Sequence, residues 1–483
     1  MILVVDVGTT GLRAAIVQPD GSIASVEYRP FPPESPFPGL VEFDASRMAE
    51  LVLEAANAVL ERTDRGVIRA VGIANQRAST IIWDRSSGRP IAPALGWQDL
   101  RTVGECITAR AEHGLRLAPN QSATKIGAIL ANAGGRDPSE LCFGTVDTWV
   151  AWTLSGGSLH VTDHSNASVT GLYSPTMRTW DAHTCELLGV PLEMLPRIVD
   201  TSGMIGIAAA LPGDLPITAL VGDQQASLVG QGCVSPGRAK ITFGTGGMLD
   251  VCTGSDRPAN VSDRSPNGTF SIVAWSLGGT TTGGVEAIML TAGTNVDWLR
   301  DDMGMIETAA ESHAVASQCE TADGVVYVPA LFGLGTPHWD YGARGSLFGI
   351  TRGTQRSHIV RAVLEGVAHR GADMVAAAEA DTGLSIPNLR IDGGMSQNPT
   401  FVQALANATG KPVEVSPVVE ATVLGAGLLA GVAVGIWSDL DDAATTWSPI
   451  GAVEPNGTLD REIWARAIGR TTAWIPELSA LDF

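Results

Sequence analysis

Two short turns rich in glycine and hydroxyl residues, each following an apolar run, could bind phosphate. The first reads DVGTT (residues 6–10) and the second reads GTGG (residues 244–247). Glycine lets the backbone approach an anion, and backbone N–H groups and threonine hydroxyls can donate hydrogen bonds to it. Either turn alone could equally be the hydrophilic tip of a plain β-hairpin. Two such turns in corresponding positions of two halves could face each other across a cleft and grip one polyphosphate.

Charged residues beside the first turn fit the same chemistry. Asp6 ends the apolar run before the turn, so its carboxylate could hold Mg²⁺ directly or through water. Arg13 lies on the returning run and could reach the same anion. The predicted phosphate-side residues are Thr9, Thr10, Arg13, Gly244 and Thr245.

A third segment places a carboxylate after another apolar run. Asp223 follows Gly222 and the run at residues 217–221. Ligands of α/β proteins bind at the carboxyl ends of strands, and a positioned carboxylate can accept the proton of a weakly acidic hydroxyl as a phosphoryl group arrives. The alternative is an aspartate that caps the following helix. The local sequence alone favours the cap.

Two further segments could bind a nucleotide base and a hydroxyl-bearing molecule. The segment DGGMSQN (residues 392–398) combines a glycine pair, against which a base could lie, with Asn398, whose amide offers a donor and an acceptor. Arg77, in NQR, suits hydroxyl recognition, and Trp97 suits the apolar face of a carbon chain. The alternatives are an ordinary glycine-rich turn, a surface arginine and a core tryptophan.

The elements that would position these residues mix strands and amphipathic helices. Apolar runs on both sides of each turn predict two β-hairpins, and the first continues into a third strand at the edge of a mixed sheet. Residues 44–62 and 357–382 have helical periodicity. This mixture indicates an α/β fold. Two similar hairpins more than two hundred positions apart suggest a duplicated domain.

Length and composition limit the class of protein. A chain of 483 residues is long for one core, so we expect two domains, residues 1–232 and 233–483, divided near the turn VSPG. The net charge of -20, without a lysine or arginine cluster, argues against nucleic acid as a partner. Residues 421–437 form an apolar stretch with four glycines, slightly short for a membrane span. We expect a buried helix there, and no membrane partner.

The cysteines and the N-terminus indicate a cytoplasmic protein. None of the six cysteines forms a CxxC pair or has the spacing of a zinc site, so we expect buried free thiols in a reducing compartment. The opening residues MILVVD have neither a basic region nor a small-residue cleavage site, so no signal peptide is expected.

Taken together, these segments resemble the FGGY carbohydrate kinases, and among them most closely the glycerol kinases. The resemblance runs from Val4 to about Trp437 and is carried by GIANQR (72–77), GWQDLRT (96–102), FGTVDTW (143–149), HVTDHSNAS (160–168), GDQQASLVGQGCVSPGRAK (222–240), GLGTPHWDYGARGSLFGITRGT (333–354) and HIVRAVLEGVA (358–368). It implies the two-domain fold of sugar kinases, Hsp70 and actin, which is ribonuclease H-like, with a cleft between the domains. It also implies ATP with Mg²⁺ and a small polyol as ligands, and we expect a homo-oligomer, either a dimer or a tetramer.

Residue roles follow from the resemblance position by position. Asp223 matches the general base that activates the acceptor hydroxyl, and Asp6 matches the metal-associated carboxylate. Thr9, Arg13 and Thr245 match phosphate-side residues. The expected polyol contacts are Arg77, Ala78, Trp97, Asn120, Asp223, Gln224 and Met248. The expected nucleotide contacts are Gly293, Asp297, Gly394 and Asn398.

Three acceptor positions depart from the glycerol kinase pattern. Ala78 stands where those enzymes carry Glu after NQR, Asn120 stands in place of Tyr, and Met248 stands in place of Phe. A missing carboxylate should weaken a hydroxyl contact by about 1 kcal/mol or more if the hydroxyl is left unpaired. The vacated space could instead admit a larger polyol. Residues 202–216 also look shorter than the loop that binds an allosteric sugar bisphosphate in enteric glycerol kinases, so we do not expect that regulation.

Three functions follow. The leading hypothesis is ATP-dependent phosphorylation of glycerol to glycerol 3-phosphate. The second is an FGGY kinase for another polyol or a ketose, such as erythritol or a xylulose-like sugar. The third is a non-catalytic nucleotide-binding protein of the same fold, which the retention of Asp223 and both turns disfavours.

Overall fold

A computed structural model describes residues 1–132, 134–255 and 264–481. The strands are β1 (Ile2–Val7), β2 (Gly11–Val17), β3 (Ile23–Pro30), β4 (Glu42–Phe43), β5 (Ala70–Asn75), β6 (Ile81–Asp84), β7 (Ala94–Leu95), β8 (Leu141–Gly144), β9 (Val161–Asp163), β10 (Tyr173–Ser174), β11 (Thr179–Trp180), β12 (Arg197–Val199), β13 (Ser202–Ala208), β14 (Leu215–Gly222), β15 (Ala239–Phe243), β16 (Gly247–Gly254), β17 (Phe270–Leu277), β18 (Thr280–Met289), β19 (Val326–Val328), β20 (Ser346–Phe348), β21 (Leu389–Asp392), β22 (Val413–Val415) and β23 (Gly451–Val453).

The helices lie between these strands and cover both faces of the main sheet. They are α1 (Ala45–Glu61), α2 (Val103–His113), α3 (Ala123–Leu130), α4 (Val146–Leu154), α5 (His164–Ala167), α6 (Ala182–Leu187), α7 (Asp223–Gly230), α8 (Thr294–Asp297), α9 (Glu311–Ala316), α10 (Arg356–Thr382), α11 (Pro399–Thr409), α12 (Ala421–Ala433), α13 (Leu440–Ala444), α14 (Arg461–Thr471) and α15 (Pro476–Ser479). The predicted α/β class is confirmed.

Thirteen strands form one mixed sheet, whose two halves repeat an arrangement. Its order is β23-β22-β21-β15-β16-β18-β17-β13-β14-β5-β1-β2-β3. In one half β1 is antiparallel to β2 and parallel to β5, which is parallel to β14. In the other half β15 is antiparallel to β16 and parallel to β21, which is parallel to β22. The halves meet where β13 pairs with β17 through Ser202 and Leu277.

The first strand shows why a continuous apolar run forms this sheet. Every residue of β1 is buried, because helices lie on both of its faces. Leu3 and Val5 contribute to the core that includes α1, whereas Ile2 and Val4 contribute to the core that includes α12. Both predicted hairpins are present: β1 and β2 form the first, and β15 and β16 form the second.

The apolar stretch that begins at residue 421 is the buried helix α12, as predicted. Its glycines bring its backbone against that of α7: a Cβ on Gly425 would lie 1.7 Å from the Ala226 carbonyl oxygen. In return, a Cβ on Gly230 would lie 2.0 Å from the Ala421 carbonyl oxygen. Within the described ranges, no helix combines the length and the apolar character that a membrane crossing requires. All six cysteines are free thiols, five of them buried.

Candidate active site

The ends of three neighbouring parallel strands bring the predicted catalytic segments together. Asn75, at the end of β5, is in register with Val7 of β1 on one side and with Gly222 of β14 on the other. The residues that follow these positions are the first turn, Arg77 and Asp223. Because the carboxyl ends of parallel strands share one sheet edge, segments that are distant in sequence meet there.

Asp223 is the first residue of α7, and its carboxylate faces Arg77. Gly222 is the N-cap residue of this helix, so the predicted capping alternative is wrong in its usual form, although Oδ1 of Asp223 accepts the N–H of Gln224 at 2.8 Å. The same oxygen lies 3.4 Å from Nε of Arg77. Burial raises the pKa of the Asp223 carboxyl, and the positive charges of Arg77 and Lys240 oppose that shift.

Arg77 is held from both halves of the sheet. Its Nη2 donates to Oε2 of Glu286 at 2.7 Å, across the cleft from its own strand. The next residue, Ala78, has a φ of 58°, a backbone conformation that is uncommon outside glycine. The Ala78 carbonyl accepts a hydrogen bond from Oγ of Ser122 at 3.0 Å, which fixes this strained turn. The turn therefore gives Arg77 one defined direction.

Trp97 connects the expected polyol site with the first phosphate turn. Its indole Nε1 donates to Oγ1 of Thr9 at 3.1 Å, and its side chain is 38% exposed. The fully buried ammonium of Lys125 donates to the carbonyls of Gly96 and Trp97 at 2.8 and 3.2 Å. Burial lowers the pKa of Lys125 to about 7. Lys125 had no predicted role, although its position in the motif PNQSATK could have drawn attention to it.

Gln224 is fixed by a buried ion pair that the sequence reasoning also missed. Nζ of Lys240 donates to Oε1 of Gln224 at 2.7 Å and lies 2.8 Å from Oδ2 of Asp250. Both charged side chains are fully buried. Each is an isolated charge within an otherwise apolar strand, which is the signal that could have marked it. Met248 lies two residues from Asp250 on β16 and is half-buried.

The first phosphate turn has a carboxylate and a guanidinium at its base. Asp6 of β1 is paired with Arg13 of β2, whose Nε lies 3.7 Å from Oδ2 of Asp6. Arg13 also forms an ion pair with Glu420, next to α12. Burial raises the pKa of Asp6 to about 6, with Arg13 opposing the shift and Asp223 adding to it. Thr9 and Thr10 lie at the tip.

The second phosphate turn is held by backbone contacts to the start of α8. The carbonyl of Gly244 accepts the N–H of Gly293, and the carbonyl of Thr245 accepts the N–H of Ala292, both at 2.8 Å. A Cβ on Gly293 would lie 2.6 Å from the Gly244 carbonyl oxygen, so glycine permits this approach. The structure thus brings two predicted nucleotide contacts, Thr245 and Gly293, together. Asp297, at the end of α8, forms an exposed ion pair with Arg300.

The predicted base-binding segment follows β21 and is partly engaged within the protein. A Cβ on Gly394 would meet nothing within 4 Å, so its surface is open. Asn398, in contrast, caps α11 by accepting the N–H of Phe401, and its Nδ2 donates to Ser312 at 2.8 Å. The base-binding role of Asn398 stays a prediction. Asn120 is exposed on the turn before α3, and across the described residues no hydrogen bond connects it with the other expected polyol contacts.

This arrangement can support phosphoryl transfer to a hydroxyl. A carboxylate with a raised pKa lies beside a guanidinium and an amide, both fixed by buried partners. Two glycine- and threonine-rich turns, one with a carboxylate at its base, lie on hairpins of the two halves of the same sheet. Among the residues described here, no cluster of three or more His, Cys, Asp or Glu forms a ready-made metal site.

Comparison with known families gives consistent matches over both halves. Residues 1–230 match the N-terminal domain of the FGGY family of carbohydrate kinases, and residues 239–434 match the C-terminal domain of that family.

Individual relatives and solved structures cover almost the whole chain. A glycerol kinase from Aromatoleum aromaticum is 40% identical, over 98% of this chain and 99% of its own length. A glycerol kinase from Halalkalibacterium halodurans is also 40% identical, over 92% and 93%. The structure of Plasmodium falciparum glycerol kinase with ADP has a TM-score of 0.89 at 29% identity, covering 98% of both chains. A xylulose kinase from Lactobacillus acidophilus, at 20% identity and a TM-score of 0.84, shares the fold.

Proposed function

The chain belongs to the FGGY family of carbohydrate kinases, and we propose that it transfers the γ-phosphoryl group of ATP to glycerol. Its similarity to proteins named glycerol kinase extends over nearly its full length at about 40% identity. The observation that carries the proposal is the meeting of Asp223, Arg77 and the first phosphate turn at one sheet edge.

Asp223 is the proposed general base. Its carboxylate would accept the proton of a primary hydroxyl as that oxygen attacks the γ-phosphorus in line with the leaving group. Removal from bulk water raises the pKa of Asp223 above the ordinary aspartate value, which makes the carboxylate a better proton acceptor. Arg77 and Gln224, both held by buried partners, would orient the other hydroxyls, and Trp97 would cover the carbon chain.

The phosphates of ATP would lie between the two turns. Thr9, Thr10 and Arg13 would contact them from one half, and Gly244 and Thr245 from the other. Asp6 fits a role in holding Mg²⁺, since it is a buried carboxylate at the base of a phosphate turn and bound phosphates could supply further oxygen ligands. The ion would neutralise charge on the phosphates. Gly293, Asp297, Gly394 and Asn398 are the proposed contacts to the rest of the nucleotide.

A larger polyol or a ketose is the second candidate acceptor. The residue after Arg77 is the buried Ala78, whose side chain is only a methyl group, and Asn120 is exposed. These two positions, with Met248, are where the chain departs from the glycerol kinase pattern. The division into residues 1–232 and 233–483, a cytoplasmic location and a homo-oligomer stay predictions from the sequence.

The test is an acceptor panel. The purified protein is supplied with ATP, Mg²⁺ and glycerol, erythritol, xylitol or xylulose, and phosphorylated product is measured for each. We expect the highest kcat/KM with glycerol. A higher value with a four- or five-carbon acceptor would replace glycerol by that substrate. ATP binding without phosphoryl transfer to any acceptor would overturn the enzymatic proposal in favour of a nucleotide-binding protein.

A further inference from the structure

Three buried charged side chains form a row across adjacent strands of the second half of the sheet. Lys240 of β15 is in register with Asp250 of β16, which is in register with Glu286 of β18. Their exposed fractions are 0%, 0% and 6%. Burial of a charge is costly unless the charge is paired, so a row of three within apolar strands needs compensating partners.

The partners of this row include two expected polyol contacts from the other half of the chain. Nζ of Lys240 donates to Oε1 of Gln224 at 2.7 Å and to Oγ1 of Thr242 at 3.0 Å, and it forms an ion pair with Oδ2 of Asp250 at 2.8 Å. Glu286 accepts from Nη2 of Arg77 at 2.7 Å. The row therefore reaches across the cleft at two points and fixes one side chain at each.

The contact with Glu286 controls which carboxylate Arg77 faces. The guanidinium lies between Oε2 of Glu286 at 2.7 Å and Oδ1 of Asp223 at 3.4 Å. The shorter contact draws Arg77 away from the proposed base. Nη1 of Arg77 is buried and has no hydrogen-bond partner among the described residues, so one nitrogen of the guanidinium is left without a partner inside the protein.

We propose that Glu286 is a positioning residue that holds Arg77 ready for an acceptor hydroxyl and prevents Arg77 from closing onto Asp223. This inference rests on the proposed kinase function. Without the charge of Glu286, the carboxylate nearest to Arg77 would be that of Asp223. Arg77 would then pair with the base, and both residues would become less available to the acceptor.

Other charges surround these groups and define which variants are informative. Asp223 is influenced by Arg77, Lys240, Asp250 and Asp6. Lys240 is also influenced by Asp392 and Glu286. A substitution at Glu286 removes the partner of Arg77 and leaves the 2.8 Å ion pair between Lys240 and Asp250 in place, although the charge of Glu286 also acts on both members of that pair.

The test is Glu286→Gln, which keeps the shape and one acceptor oxygen but removes the charge. We expect KM for the acceptor to rise about tenfold or more, as for loss of a charge-assisted hydrogen bond, while KM for ATP stays within about twofold. The matched control is Glu414→Gln, which removes the charge from another strand-to-strand ion pair of the same sheet, with Arg390 at 3.1 Å. That control should leave both KM values unchanged.

An unchanged acceptor KM in a folded Glu286→Gln variant would overturn the proposal. Equal increases in both KM values with a lowered melting temperature would assign Glu286 a structural role and overturn it as well. If the Gln variant is insoluble, Glu286→Asp keeps the charge at a longer distance and should show the same selective increase at smaller size. If the wild-type protein transfers phosphate to no acceptor, the kinase proposal itself fails. The wild-type assay shows that failure before any variant is compared.

Discussion

The two hairpins that carry the phosphate turns share a topology but use their charges differently. In the β1–β2 hairpin, Asp6 and Arg13 are 3.7 Å apart, and the Arg13 side chain is 23% exposed. In the β15–β16 hairpin, Lys240 and Asp250 are 2.8 Å apart and fully buried. A loose, partly hydrated pair can exchange partners for an incoming ion, whereas separating a buried pair is costly. Under the proposed function the first hairpin would present charge to ligands, whereas the second uses Lys240 to hold Gln224.

The position of each pair relative to its turn supports this difference. Asp6 is two residues before Gly8, beside the turn, whereas Lys240 is four residues before Gly244, deep in the strand. The second turn is held instead by backbone hydrogen bonds to residues 292–294. The same supersecondary unit therefore has its charged pair beside the turn in one half and deep in the strand in the other.

The largest effect is expected at Asp223, which is influenced by charges on both hairpins. Asp223→Asn should lower acceptor-dependent kcat by about 10²–10⁴-fold, the usual range for loss of a general base, without a loss of thermal stability. Since the pKa of Asp223 is raised, wild-type kcat/KM should fall as pH decreases through a value above the ordinary aspartate range, and the variant should lose this limb. Steady-state kinetics against pH would measure both. Wild-type turnover in the variant would remove Asp223 from this role.

The buried pair should determine stability. Lys240→Met leaves Asp250 as a buried charge without its cation and should lower the free energy of unfolding by about 3–5 kcal/mol. The double substitution Lys240→Met with Asp250→Leu should recover most of that loss, but not the acceptor KM, because Gln224 stays without its partner. Chemical denaturation and kinetics test the two outcomes separately. A double variant as unstable as the single one would contradict the inference that the stability loss in Lys240→Met comes from the unpaired charge of Asp250.

The pair formed by Asp6 and Arg13 should affect the binding of Mg²⁺ rather than the stability of the protein. Asp6→Asn should raise the Mg²⁺ concentration for half-maximal activity by about 10–100-fold, as for loss of a supporting metal contact. Burial raises the pKa of Asp6 to about 6, so the wild-type Mg²⁺ requirement should also increase as pH falls below that value, whereas the variant should show no such change. Because the charged carboxylate is disfavoured by burial, the melting temperature should not decrease. A large loss of stability in the Asp6→Asn variant would show that both charged pairs stabilise the fold. That result would contradict the difference drawn between the two hairpins.

The smallest effect is expected for the hydrogen bond between Thr9 of the first phosphate turn and Trp97, an expected polyol contact. Thr9→Val removes the hydrogen bond from Nε1 of Trp97, at 3.1 Å, and should cost about 1 kcal/mol. That loss corresponds to about a fivefold higher acceptor KM. Thr9→Ser keeps the hydroxyl and should restore the wild-type value in the same assay. Identical behaviour of the valine and serine variants would show that this bond does not position Trp97.

Local sequence pattern was sufficient for the elements and for part of the site. Apolar runs interrupted by glycine predicted both hairpins, and a glycine-containing apolar stretch predicted the buried helix α12. Asp223 could be placed at a strand end from its neighbours alone. These inferences succeed because they depend only on residues that are close together in the sequence.

Contacts between the halves could not be predicted in this way. Arg77 and Glu286 are 209 positions apart, and their pairing depends on how the two halves of the sheet join. Asn398 was expected to offer its amide to a base, yet both polar atoms of that amide have partners within the protein, because the same residue begins α11. Asn120 was expected among the polyol contacts only from the resemblance, and it is exposed, so the resemblance alone did not report its surroundings.

The backbone contact between α7 and α12 has a mechanical consequence. With Gly230 and Gly425 at the contact, no side chain separates the two helices, so an axis through this contact is one about which the two halves could rotate. Displacement in a rotation grows with distance from the axis. Asp223 begins α7, and its carbonyl is 3.4 Å from Oγ1 of Thr422 on α12, so it would travel little. The first phosphate turn lies beside Asp223 at the same sheet edge and would move with it, so the second turn is the one whose distance from the base would change.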